Sequence, residues 1–191
     1  MLRYFLSIVF VLLVIAGSAA IFFPQYWVHR YDELIARQAR VYRLDEKLVW
    51  SVIYEETYFR AWKKGAADEI GLMQVRPATA REWAKETGLK DYERQIASNV
   101  ESFLADPEQN IQIGCWYLEK LRDAYRGDAA ETAMTLAAYN AGASRVEEWT
   151  RGADAATMSE ADFVSRIAIA STKNYVTSIL ERYRSQKTDV K

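Results

Sequence analysis

Apolar positions fall along this chain in two regimes. Residues 4–23, YFLSIVFVLLVIAGSAAIFF, form one run without a charge. Beyond Pro24 the apolar residues recur every three or four positions with polar ones between, the period of amphipathic helices. Tyr31 to Tyr42 is the first such segment, with Tyr31, Leu34, Ile35, Val41 and Tyr42 on one side and Gln38 interrupting the stripe. Asp45 is placed to cap a second helix, which carries Val49, Val52, Ile53 and Glu56 on one face. Lys47, Ser51 and Glu55 form the opposite face, expected to be solvated. Residues 60–70 read as a polar loop leading into Gly71. Pro77 suits the first position of a helix running through Glu86 and stopped by Gly88. Asp106-Pro107 opens the next, with Ile111, Gly114, Leu118, Leu121 and Tyr125 as its stripe and Gly127 as its stop. Asp128 is expected to cap a helix closed by Gly142, and a last helix is expected from about Asp162 to Arg184. No block rich in β-formers, no internal repeat and no low-complexity linker interrupts this order. The pattern predicts an all-α domain behind one apolar N-terminal helix.

The N-terminal run has the length to cross a bilayer at about 1.5 Å per residue. That divides the chain into a membrane anchor or signal segment, residues 1–27, and a globular part, residues 28–191. Arg3 favours a cytoplasmic N-terminus, against which Arg30, Arg37 and Arg40 stand on the far side. Gly17-Ser18-Ala19-Ala20 offers a cleavage site for a signal peptide. The continuing run Ile21-Phe22-Phe23 and the interfacial pair Tyr26-Trp27 favour an uncleaved anchor. Either reading exports the globular part, and no cysteine is placed for lipidation.

Net charge is −1, so nothing global draws the chain toward nucleic acid. The single cysteine, Cys115, leaves no disulfide within the chain and sits in a helical stripe as a small apolar residue. The lone His29, near the apolar run, has no cluster of potential ligands around it, and no metal or cofactor motif is present. Six Trp and twelve Tyr suit a sugar site and a core equally well.

Chemistry enters with two adjacent glutamates. Neighbours on a helix point about 100° apart. Glu55 therefore continues the polar face while Glu56 continues the apolar stripe. A carboxylate on an apolar stripe is costly to ionise. A carboxyl kept protonated near neutrality is what a general acid requires.

From Glu56 onward the chain resembles the soluble-type lytic transglycosylases, relatives of goose-type lysozyme. The residues that carry the resemblance are Glu56-Thr57-Tyr58-Phe59, then Gly71-Leu72-Met73-Gln74-Val75-Arg76-Pro77-Ala78-Thr79-Ala80. Further on come Asn110-Ile111-Gln112-Ile113-Gly114 with Tyr117-Leu118, and Ala138-Tyr139-Asn140-Ala141-Gly142. The resemblance extends over roughly residues 31–183 and implies a lysozyme-like all-α fold acting on the glycan strands of peptidoglycan. It implies one catalytic glutamate, Glu56, rather than the two carboxylates of most glycosidases. Thr57 stands where relatives have serine and keeps a hydroxyl for substrate or for the carboxyl. Met73 and Gln74 would line the cleft, Tyr139 would orient or protect Glu56 through its hydroxyl, and Asn140 would hydrogen-bond an N-acetyl group or the chain around it. Tyr175 would line the cleft as well.

Three departures from the family pattern stand out. Asp68-Glu69-Ile70 replaces a Gly-Ala before the Gly-Leu-Met-Gln run, bringing negative charge toward the cleft. Ser171 occupies the place of a supporting glutamate, and Ala143 that of a proline. Asp68 and Glu69 are the nearest second acids to Glu56, in a loop expected to face solvent. The leading expectation is a membrane-anchored lytic transglycosylase forming 1,6-anhydro ends. A hydrolytic muramidase and a wall-binding scaffold in an envelope complex are the alternatives.

Overall fold

The computed structural model describes residues 2–188, apart from several side chains of its first helix. Ten helices follow one another among the described residues: α1 (Leu2–His29), α2 (Asp32–Val41), α3 (Glu46–Thr57), α4 (Pro77–Thr87) and α5 (Lys90–Ala105). Then come α6 (Pro107–Ala124), α7 (Glu131–Ala141), α8 (Ala143–Thr150), α9 (Glu160–Arg166) and α10 (Ala170–Thr188). The only β-type pairing among these residues is two isolated bridges, Lys64 with Ile70 and Ile70 with Val75. The chain divides into two units, one ending at Glu33 and one beginning at Leu34.

In the first unit, α1 continues straight through Pro24, where the sequence pattern suggested a boundary. Among the described residues no helix is long and apolar enough to cross a membrane. The expected span 4–23 includes residues 5, 6, 8, 15, 16, 19 and 21, whose side chains lie outside the described ones.

The second unit is built around α7. Its residues Ala133, Met134, Leu136, Ala137 and Ala138 are all fully buried, and α6, α8 and α10 pack against it. Such a helix, apolar all round, belongs at the centre of a bundle. Helix α3 packs on α10 and places Val49, Val52 and Ile53 at zero exposure. Three helix starts follow the sequence signals. Asp45 accepts the Lys47 N–H at 2.9 Å, Asp106 accepts that of Gln109 at 3.0 Å, and Pro77 opens α4. Gly88 ends α4 in the left-handed region at φ +67°, a conformation open to glycine without steric penalty.

Several expectations are corrected. Helix α7 is capped at Ala130, with no side-chain bond, rather than by Asp128. Gln38 is buried and Val41 is 62% exposed, so α2 turns a different face inward than its apolar stripe suggested. The expected last helix is two, α9 and α10, broken at Ile167–Ile169. The polar face of α3 is not solvated, because α10 covers it. Ser51 has zero exposure and receives the Gln186 amide at 3.2 Å, and Lys47 donates to the Gln186 carbonyl at 2.7 Å. Glu55 pairs with Arg182 at 3.1 Å, whose guanidinium also lies 4.0 Å over the Tyr54 ring.

Candidate active site

Helix α3 delivers Glu56 on its last turn and then stops abruptly. Tyr58 and Phe59 both adopt left-handed backbone, at φ +50° and +59°. Phe59 is thereby folded to zero exposure against Trp50, ring centroids 5.1 Å apart. Gln74 is also left-handed, at φ +48°. Left-handed backbone at non-glycine residues is strained by about 1–3 kcal/mol each, and such strain gathers at functional sites. Of the five such residues among those described, four lie between Tyr58 and Gln74.

The returning loop is anchored from below by Asn110 of α6, which has zero exposure. Its amide donates to the carbonyls of Ile70 at 2.8 Å and Leu104 at 2.9 Å, and its Oδ1 accepts the Met73 N–H at 2.8 Å. Gly71 is tied to that anchor. Its φ is +76°, and a Cβ there would lie 2.4 Å from Asn110 Nδ2 and 2.7 Å from the Leu104 carbonyl oxygen. The loop and α3 are joined by the Thr57 hydroxyl, whose proton is shared between Leu72 O at 3.0 Å and Ile53 O at 3.2 Å.

The result is a cavity of about 300 Å³. Its walls are Glu56 from α3, Glu69, Gln74 and Arg76 from the loop, and Tyr139 and Asn140 from α7. Burial pushes the Glu56 carboxyl up to about 7. A hydrogen bond from Tyr175 and the charge of Lys63 act against that rise, while Glu69 and Glu55 add to it. The Tyr175 hydroxyl donates to Glu56 Oε1 at 2.8 Å, and Lys63 donates to the Glu56 carbonyl. Burial first, then the charge of Glu56, holds the Tyr175 phenol well above its ordinary value, so it stays a donor.

The residues expected at the site divide in two. Glu56, Gln74, Tyr139 and Asn140 share the cavity, and Tyr175 reaches Glu56 directly. The hydroxyl on the carboxyl therefore comes from Tyr175, where the sequence suggested Tyr139. Tyr139 instead donates to the Met73 carbonyl at 2.8 Å. Thr57, expected at substrate or carboxyl, is 1% exposed and spends its hydroxyl on backbone. Met73, expected in the cleft, has zero exposure and packs against Gly114, where a Cβ would come within 2.4 Å of its Sδ. Gln74 spends its amide hydrogens on the carbonyls of Gly71 at 2.9 Å and Lys63 at 3.2 Å. Asn140 Oδ1 accepts the Thr172 hydroxyl at 2.7 Å. Thr172 follows Ser171 at the start of α10.

Glu69 is the main residue that the pattern misplaced. It lines the cavity rather than facing solvent, and its Oε1 accepts two N–H groups of Arg76, at 2.9 and 3.2 Å. Its Oε2 accepts the Ala67 N–H at 3.0 Å. Burial acts to raise this carboxyl, but the Arg76 and Ala67 hydrogen bonds outweigh it and hold Glu69 below its ordinary value.

Known proteins resemble this chain over most of its length. A soluble lytic murein transglycosylase of Salmonella typhimurium is 29% identical over 150 residues, covering 78% of this chain and 22% of the relative. A membrane-bound lytic murein transglycosylase C of Edwardsiella ictaluri is 32% identical over 122 residues, covering 62% of this chain and 33% of the relative. The crystal structure of the 70 kDa soluble lytic transglycosylase of Escherichia coli superposes with a TM-score of 0.68 at 27% identity, over 82% of this chain and 24% of that one. This chain thus spans between a fifth and a third of the length of these relatives. The model of the Transglycosylase SLT domain family matches residues 33–161, more than half of the sequence, and the chain belongs to that family.

Proposed function

We propose that this chain is a lytic transglycosylase that cleaves the MurNAc–GlcNAc β-1,4 bond of peptidoglycan, with Glu56 as its single acid and base. The observation that carries this reading is a carboxyl set in a cavity and hydrogen-bonded by a buried tyrosine, where burial pushes it up to about 7. The relatives' names support the substrate class.

In the first step the protonated Glu56 gives its proton to the departing glucosaminyl oxygen as the C1–O bond breaks. The muramic sugar is left with oxocarbenium character, facing the newly formed carboxylate. Glu56 then takes the proton of that sugar's own C6 hydroxyl, whose oxygen bonds to C1. The 1,6-anhydro ring closes and Glu56 returns to its starting form. Nucleophile and electrophile belong to one sugar, so no water has to be positioned. Tyr175 holds one carboxyl oxygen throughout, leaving the other to exchange the proton.

One observation favours a hydrolytic muramidase as the second reading: a second carboxylate, Glu69, shares the cavity. Digestion of purified peptidoglycan by the full chain, with products read by mass spectrometry beside Glu56→Gln, separates the two. Anhydro ends from the unaltered chain alone are expected. Ordinary reducing ends would replace the proposal with hydrolysis, and silence from both proteins would point to a wall-binding scaffold.

The uncharged run at residues 4–23 supports attachment of the domain to the inner membrane, with the cytoplasm on the side of Arg3. Attachment predicts that the chain stays with membranes in alkaline carbonate, and release into the supernatant would remove this part of the proposal.

A further inference from the structure

Glu69 is too well held for a loop side chain that merely faces water. It follows the exposed residues 66–68, and its partner Arg76 is exposed, yet its side chain is only 21% exposed. Space for it is provided by Gly65. A Cβ at that position would fall 2.3 Å from Glu69 Oε2 and 2.8 Å from Gln74 Oε1. The missing side chain therefore lets two oxygens sit close together against one point of backbone.

The hydrogen-bond inventory says what these oxygens can still do. An ionised carboxylate offers about four acceptor sites. Arg76 takes two on Oε1 and Ala67 takes one on Oε2, which leaves Oε2 with capacity. Gln74 has committed both amide hydrogens to carbonyls, and its Oε1 is left as an acceptor. Glu69 and Gln74 both line the cavity that holds Glu56, and their Oε2 and Oε1 lie near one another as acceptors beside Gly65. Such a pair suits hydrogen-bond donors such as sugar hydroxyls or an N-acetyl N–H, and disfavours anionic groups.

We propose that Glu69 is a substrate-binding carboxylate, clamped from behind by Arg76 and the Ala67 N–H, which together with Gln74 Oε1 receives hydroxyl or amide hydrogens of the glycan lying over Glu56. The inference rests on the glycan reading given above. It assigns Glu69 no proton transfer, because the Arg76 clamp makes it a weak base.

The test is binding, so that chemistry does not intervene. The full chain carrying Glu56→Gln is titrated with a peptide-free GlcNAc–MurNAc tetrasaccharide by calorimetry. Two further variants are added singly to that background. Glu69→Gln removes the charge and one acceptor. Gly65→Ala keeps the charge but displaces the carboxylate; the two nearest atoms are side-chain ends, the third is Glu69 Cβ at 3.1 Å, and circular dichroism checks that the fold is kept. Each is expected to weaken binding about tenfold, the usual scale for one hydrogen bond to a charged group. Equal affinity in Glu56→Gln and its Glu69→Gln derivative would overturn the inference while leaving the glycan reading intact. Weakening by Gly65→Ala alone would also overturn it, assigning the contact to Gln74. No binding by Glu56→Gln itself would sink the glycan reading, and this inference with it.

Discussion

Two walls of one cavity carry a carboxyl each, and the two behave in opposite ways. Glu56 stands on the last turn of a packed helix and receives a single hydrogen bond, from Tyr175. Glu69 stands in a loop and receives three. The first is pushed up to about 7 by burial, and the second is held below its ordinary value by its donors. Glu56 is much the more deeply buried of the two, while Glu69 keeps more water and receives more donors, so burial and hydrogen bonding separate them in the same direction. The helix wall holds a carboxyl near neutrality and the loop wall holds a carboxylate that stays ionised, a division between the two groups that the proposed roles rest on.

The sharpest break is on the helix wall. Glu56→Gln should lower release of glycan fragments by about a thousandfold, within the usual range for removing a general acid. Residual activity within tenfold of the unaltered chain would move the acid to Glu55. The loop wall breaks through its anchor instead. Asn110→Ala abandons the Ile70 and Leu104 carbonyls and the Met73 N–H in a site without water access, and should destabilise the fold by about 4 kcal/mol. Denaturant unfolding measures it, and a loss under about 1 kcal/mol would mean the loop is held elsewhere.

The contrast in charge state is sharpened by stability against pH. The Glu56 carboxyl titrates at about 7 in the folded chain against an ordinary 4.5. Between those two values the folded state binds more protons than the unfolded one, so stability falls as pH rises and levels off above about 7. Glu56→Gln has no such loss. It should be more stable than the unaltered chain by about 3 kcal/mol at pH 8, with the advantage gone near pH 4.5. A constant difference across that window would show that Glu56 is not the group titrating. The smallest effect is expected from Tyr175→Phe. The tyrosine's hydrogen bond lowers the Glu56 pKa, so its loss moves the alkaline limb of the activity profile to higher pH. A limb that stays in place would mean the bond is not made during turnover.

What the sequence made legible was local. Asp45, Pro77 and Asp106 mark helix starts because caps act within one turn, and Glu56 announced itself by falling on an apolar stripe. What stayed hidden depends on contacts between distant segments. Ser51 and Glu55 have a solvated spacing, and only α10, 127 residues on from Glu55 at Arg182, covers them. Tyr139 and Tyr175 both carry a hydroxyl near the cleft, and which one meets Glu56 is settled by how α7 and α10 are rotated. Helix α5 escaped the periodic reading because Asn99 leaves helical backbone in mid-course, at φ −157° and ψ 86°, and caps the Ser102 N–H with its own side chain. Glu69 was visible as a departure from the family pattern, but its inward direction depends on the absent side chain at Gly65.

The covering of α3 by α10 ties the acid to the order in which the molecule is completed. Glu56 and Tyr175 are separated by 119 residues, and every helix from α4 to α9 lies between them in the chain. A nascent or nicked polypeptide lacking the segment beyond Ile169 contains the carboxyl, the loop and Asn140, yet neither the phenol nor the covering of the polar face of α3. Its glutamate would lack the donor that holds one carboxyl oxygen in the finished molecule. The orientation of the carboxyl is in this sense acquired in the same event that seats the final helix.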